Sequence, residues 1–242
     1  EADDPLHFAP SLIQRIIQTP GQEVASHTFS HYYCDEPGQN VAAFEADLEA
    51  AQKIASRDGV GMESLVFPRN QVVVAYREAL PGRGFTAYRG NPPGGMYHLP
   101  TGKFFRLVAR ALRFGDSFLN LTGDHVAPWS GLDESGLINV RASHFLRPYS
   151  RKLRFMERLR RRRVKAGLRA AAKQGGIYHL WWHPHNFGAD LEQNLSALGD
   201  ILDEFDRLKV SHGMRSMSMA EVAACAQNRT VIGSYELKHK FG

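Results

Sequence analysis

The feature that most constrains this chain is an alternation. Short apolar runs are separated by longer segments whose apolar residues recur at helical spacing. Val24-Ala25-Ser26, Ser64-Leu65-Val66-Phe67, Gly84 to Tyr88, Leu137 to Val140 and Ile177 to Trp182 read as strands. Between them, Val41 to Ser56 places Phe44, Leu48, Ala51 and Ala55 on one helical face. Thr101 to Phe114 does the same with Phe105, Val108 and Leu112, and Leu191 to Leu208 with Leu195, Leu198, Ile201, Leu202 and Phe205. Gln71 to Leu80 and Met219 to Ala226 read as shorter helices, the second capped by Ser218, and Phe8 to Ile17 is helix-like. Pro81-Gly82 and Gly175-Gly176 supply stops. Strands that alternate with helices pair in parallel through right-handed crossovers, so the expected class is α/β with a parallel sheet or barrel. At 242 residues, with no internal repeat and no low-complexity linker, residues 1–242 read as one barrel-sized domain. Asn91 to Gly95 and Gly115 to Gly136 are loop-rich and are the stretches that could cover a site.

Composition removes several classes. No apolar run approaches the roughly 20 residues of a membrane span. Glu1-Ala2-Asp3-Asp4 is acidic where a secretory signal would be basic. Cys34 and Cys225 are far apart and in no CxxC pattern, so they read as ordinary thiols of a reducing compartment, and a cytoplasmic location is expected. Charge is uneven. Arg151 to Lys173 holds eleven Lys and Arg against Glu157, a local +10 in a chain of net +5, so the remainder carries −5. This segment reads as a long basic helix with Phe155, Met156, Leu159 and Val164 as its packing side. The first reading of its charge is a solvated face. The second is attraction to an anionic partner: a nucleotide sugar, a lipid-linked glycan at a membrane, or an acidic polysaccharide. Nucleic acid ranks last, because the segment has no recognised binding fold and the rest of the chain is acidic.

Polar residues cluster directly after four of the strands. These are His27-Thr-Phe-Ser-His31, Pro68-Arg69-Asn70, Arg89-Gly90-Asn91 and His183-Pro-His185-Asn186. Sites in α/β folds lie at the C-terminal ends of strands, so four such clusters point to one pocket. On a helical turn His27 and His31 would share a face, about 5–6 Å apart at Cβ, and suit zinc or another divalent transition metal. The competing reading is two surface or packed histidines. His183 suits a general acid, since imidazole titrates near neutrality; a buried histidine bonded to backbone, or a packed aromatic cluster with Trp181 and Trp182, is the alternative, and His185 competes for the role. Arg69 reads as a residue that orients a carboxylate or substrate, or as a plain surface charge.

Together these residues resemble the polysaccharide deacetylase family (carbohydrate esterase family four). Gly21 and Glu23-Val-Ala-Ser-His27-Thr-Phe-Ser-His31 look like its metal-binding segment. Phe67-Pro68-Arg69-Asn70 stands where the family has an Arg-containing strand end, and Leu180-Trp-Trp-His183 where it has its late histidine. Leu195 to Phe205 and Ser216 to Glu221 resemble its closing elements. The resemblance implies a distorted (β/α) barrel with a divalent metal, most often zinc, held by Asp-His-His. It implies that His27 and His31 bind the metal, that His183 is the acid, and that Arg69 holds a base aspartate. Arg89, Asn91, Trp182, His185 and Asn186 become the candidates for holding substrate. The family's Asp-Asp motif should precede His27 by several tens of residues, and Asp3-Asp4 lacks the strand that motif needs. The first strand is therefore expected to be missing from this chain. Arg89-Gly-Asn91 replaces the family's usual Asp/Trp motif. His183-Pro-His185-Asn-Phe-Gly188 looks like a branch associated with bacterial surface-glycan gene clusters, which implies N-deacetylation of an O-antigen or capsule sugar, in the cytoplasm or peripheral at the inner membrane. Two other readings stand beside it: a non-catalytic carbohydrate-binding relative with an incomplete metal site, and an allantoinase-like C–N hydrolase on the same barrel.

Overall fold

The computed structural model describes residues 2–4, 9–92, 103–129 and 133–228. Pro5, Phe8, residues 93–95 and 130–132 of the two loop-rich stretches, Thr101 and the Phe105 side chain lie outside that description. The chain forms two compact units that interleave along the sequence. The first comprises Glu1–Gly90, Ser130–Val140 and Ser216–Gly242, the second Asn91–Trp129 and Arg141–Arg215.

In the first unit, helices α1 (Pro10–Ile17), α2 (Val41–Arg57) and α3 (Val74–Glu78) accompany strands β1 (Ser64–Leu65), β2 (Ala87–Tyr88) and β3 (Ile138–Asn139). The three strands are parallel, in the order β1-β2-β3, with Leu65 opposite Tyr88 and Tyr88 opposite Asn139. Ser26 adds a fourth position by a parallel bridge to Leu65. The ladders are shorter than the apolar runs suggest. Ser64 to Phe67 pairs only as far as Leu65, because Pro68 turns the chain into a 3-10 turn, Pro68–Asn70. Helix α2 begins where Asn40 accepts from the Ala43 amide and presents buried Phe44 and Leu48, one turn apart, to the core. Phe44 stacks on Phe67 at 6.0 Å and meets Tyr76 edge-on at 5.2 Å. Each of these aromatics contributes roughly 1.5–3 kcal/mol by leaving water. A helix over 219–228 follows a reciprocal cap in which the Ser218 hydroxyl accepts from the Glu221 amide and Glu221 accepts from the Ser218 amide. Glu23 accepts from the Ala220 amide at its N-terminus, so Glu23 has a structural task.

In the second unit, α4 (Lys103–Asp116), α5 (Glu157–Gln174) and α6 (Leu191–His212) accompany β4 (His144–Phe145) and β5 (Leu180–Trp181), which pair in parallel. The basic segment does not form one helix. Arg151–Met156 is a 3-10 turn with Leu153 off helical geometry, and α5 follows it. The packing stripe also differs from the expected one. Buried Arg160, Arg163, Val164, Gly167, Leu168 and Ala171 recur at i, i+3, i+4, i+7, i+8 and i+11, whereas Phe155 is 75% exposed and Leu159 lies at the surface. Helices α5 and α6 end at left-handed Gly175 and Gly213, where a Cβ would be strained.

The protein is thus a mixture of helix and parallel sheet. Among the described residues the strands form one three-stranded and one two-stranded sheet, without a closed barrel. No helix among them is long and apolar enough to cross a membrane.

Candidate functional site

Because Ser26, β1 and β2 run parallel, the segments that leave them emerge along one edge of the first unit's sheet. That edge carries His27, His31, Arg69, Asn70 and Arg89. The segment from His27 to His31 is not a helical turn. Two carboxylate oxygens of Asp47, on α2, accept from the Phe29 and Ser30 amides at 2.8 and 2.9 Å, and the Thr28 hydroxyl accepts from the Tyr32 amide at 2.8 Å. Thr28 and His31 adopt left-handed φ of 65° and 57°. This turn, rather than an i,i+4 helix, brings the imidazoles of His27 and His31 to 4.8 Å between ring centroids.

The His27 Nδ1 lies 2.6 Å from the Val66 carbonyl oxygen. A carbonyl only accepts, so the neutral ring carries its proton on Nδ1 and its lone pair on Nε2. Metal-binding imidazoles are commonly oriented in this way by their second nitrogen. His31 Nδ1 is 3.1 Å from the Tyr33 hydroxyl. The Arg69 guanidinium lies 3.9 Å from the centroid of the Tyr33 ring and donates to Glu36 at 3.2 Å. Arg69 does meet a carboxylate, but the pair is exposed and weakly stabilising. Arg69 and Asn70 are left-handed too, at φ 51° and 56°. Of the five non-glycine residues with positive φ among the described residues, four therefore fall in the two segments leaving Ser26 and β1. Such conformations cost of order 1–3 kcal/mol each and concentrate at functional sites.

Arg89 reaches back from β2 and donates to the Asn70 side chain at 2.8 Å. Burial pulls its guanidinium down to about 10. Gly90 follows where the Asn139 carboxamide packs so closely that any Cβ would clash with it. Tyr33, Asp47 and Asn139 are thus parts of this edge that the sequence did not single out. Tyr33 sits two residues beyond His31 and could have been read from proximity; Asp47 lies mid-helix and has no sequence signal. Asn91 falls in the second unit.

In that unit His183 ends the strand run at extended φ/ψ, and Pro184–Asp190 turns into a 3-10 helix. His183 and His185 stack at 5.2 Å despite the turn, and both are exposed. His183 also meets Trp181 and Phe145 edge-on, at 5.4 and 5.8 Å. Trp182 points to the opposite face, stacks on buried Phe187 at 6.0 Å and packs against the core. The Asn186 amide donates to the His183 carbonyl and fixes the turn.

Among the described residues no group of three or more His, Cys, Asp or Glu is placed to hold a metal. Among the described residues of this edge, His27 and His31 are the donor pair. Burial pushes the Cys34 thiol up to about 11, where it is a poor nucleophile. No family model matches this chain, and neither curated proteins nor solved structures yield a match.

Proposed function

We propose that this protein is a metal-dependent hydrolase that removes N-acetyl groups from a glycan, built on the distorted (β/α) barrel of the polysaccharide deacetylases. The observation that carries this reading is the imidazole pair. His27 and His31 stand 4.8 Å apart on a parallel sheet's C-terminal edge, and the Val66 carbonyl presents the His27 Nε2 lone pair outward. A donor set of two imidazoles fits zinc or a neighbouring transition ion, with remaining donors from solvent or from residues other than those described. When bound, such an ion supplies Lewis-acid polarisation of an acetamide carbonyl and acidifies a water. This chain's own residues would do the rest. Asp47 fixes the turn that carries both histidines, and Arg89 and Asn70 offer half-buried polar contacts to a sugar; the role of His183, which belongs to the second unit, as the acid that returns a proton to the amine rests on the resemblance alone.

The substrate class, an N-acetylated sugar of a bacterial surface polysaccharide, rests on the resemblance of His183-Pro-His185-Asn-Phe-Gly188 alone. So does the expected cytoplasmic or membrane-peripheral location. A second reading is favoured by the two-donor set itself: a glycan-binding relative that has the scaffold and does not hydrolyse.

Elemental analysis after zinc soaking, beside a His27→Ala/His31→Ala variant, tests the first reading. Stoichiometric zinc that disappears in the variant, with acetate release from N-acetylated glycans lost in His183→Ala while zinc is retained, is the expected result. Absence of bound metal from folded wild-type protein would overturn it in favour of the binder.

A further inference from the structure

The basic segment separates into two populations. Arg160 and Arg163 are buried and paired, Arg160 with Glu157 and the Arg147 carbonyl, Arg163 with Asp116 and Asp124. Arg161 and Lys165 pair with Asp200 on α6, and Arg169 with Glu204. Arg151 pairs with Asp190. The cations that remain are Lys152, Arg154, Arg158, Arg162 and, in the last turn of α5, Lys173, all exposed and none in an ion pair among the described residues; the first four cluster in the turn before α5 and its first two turns. Phe155, Arg158, Leu159 and Arg162 fall at i, i+3, i+4 and i+7, so the start of α5 and the turn feeding it present one face of alternating cations and apolar side chains. Phe155 is 75% exposed and Leu159 36%.

We propose that this face docks on an anionic phospholipid bilayer, with Phe155 entering the interface and Lys152, Arg154, Arg158 and Arg162 meeting headgroup phosphates. Cations supply long-range attraction to such a surface, and an exposed aromatic flanked by them supplies the apolar component that anchors interfacial helices. The exposed apolar side chains favour lipid over nucleic acid. Phe155 and Leu159 put apolar side chains at the surface among the cations, the combination that seats an interfacial helix in a bilayer, and the segment belongs to no recognised nucleic-acid-binding fold. The inference does not depend on the hydrolase reading, since neither His27 nor His183 takes part.

The test is co-sedimentation of the whole protein with phosphatidylcholine vesicles, with and without phosphatidylglycerol. Binding is expected only with phosphatidylglycerol and should fall with added salt. Arg158→Glu/Arg162→Glu should weaken it by about twentyfold or more, and Phe155→Ser by roughly tenfold. These positions are exposed, so unchanged thermal unfolding shows that the fold is intact; Arg158→Gln/Arg162→Gln is the milder form if it is not. Equal binding to neutral vesicles, or charge-reversed protein that still binds phosphatidylglycerol, would overturn the proposal. So would loss of binding in the Arg variants with Phe155→Ser unaffected and an RNA homopolymer competing, which would mark a general polyanion site.

Discussion

His144 opens β4 with its imidazole buried beside the ion pair of Arg163 and Asp116. Burial is the main reason its pKa falls to about 4, and the positive charge of Arg163 adds to it. The native ring is therefore neutral at pH 5 to 7, while the unfolded chain takes up a proton near 6.5. A depressed histidine contributes its stability in full above 6.5 and loses it as pH falls toward 4. Between pH 7 and pH 5 the expected loss is about 2 kcal/mol. Urea unfolding at the two pH values reads this directly. The wild type should lose midpoint, and His144→Gln should lose distinctly less; equal losses would show that other groups carry the slope. The carboxyl of Asp116 is itself held low, because Arg163 and the amides of Leu121 and Thr122 outweigh its burial, so its own loss lies at more acid pH. Nothing in the sequence pointed to His144. A polar residue at the mouth of a two-residue strand makes no periodic signal, and its neighbours across the ladder come from residues 179–181.

Helix α5 shows why a run of like charges resists reading. Successive residues turn by about 100°, so four consecutive arginines point around most of the circumference, and which of them face inward depends on the register of the whole stripe. That register was legible in Val164, but the expected packing side also included Phe155 and Leu159, which the break at Leu153 and the path of the stripe leave at the surface. Helix existence, by contrast, was read well: Val41 to Ser56 and Leu191 to Leu208 appear as Val41–Arg57 and Leu191–His212. An alanine scan of α5 separates its arginines by burial. Arg163→Ala leaves the buried Asp116 carboxylate without its cation and should cost roughly 3–5 kcal/mol. Arg160→Ala strands Glu157 and the Arg147 carbonyl and should be of similar sign. Arg158→Ala and Arg162→Ala should stay within about 0.5 kcal/mol. Denaturant midpoints at constant slope make the comparison, and equal costs at all four positions would mean that the burial of Arg160 and Arg163 does not determine their contribution.

At the scale of the molecule, the parallel strands and the polar clusters that follow them were legible, because both are local patterns placed by one topological rule. What pairs with what was not. The first unit takes β3 and the helix over 219–228 from chain that returns after long excursions into the second. No linker composition marks these crossings, so the sequence reads as continuous. The consequence is that no continuous piece of the chain contains the first unit alone. A fragment ending at Gly90 keeps Phe44, Leu48, Leu65 and Phe67 but loses β3, so β2 is left with one ladder partner. Tyr88, whose hydroxyl donates to Asp133 at 2.9 Å, and Arg77, 3.6 Å from the same carboxylate, lose that carboxylate as well. Glu23 loses the helix start it caps, and that helix, with buried Val222, Ala223 and Ala226, is gone from the unit. Stranded buried polar groups cost roughly 1–3 kcal/mol each, against a total stability of only about 5–15 kcal/mol for a domain. The fragment 1–90 should therefore give a poorly dispersed amide spectrum and no cooperative thermal transition, while the full chain gives both dispersion and cooperativity. Addition of a separate peptide spanning 133–140 should not rescue it, since the helix over 219–228 is still absent. A dispersed spectrum from 1–90 alone would show instead that the aromatic core around Phe44 and Phe67 suffices, and that the returning segments decorate a unit already folded.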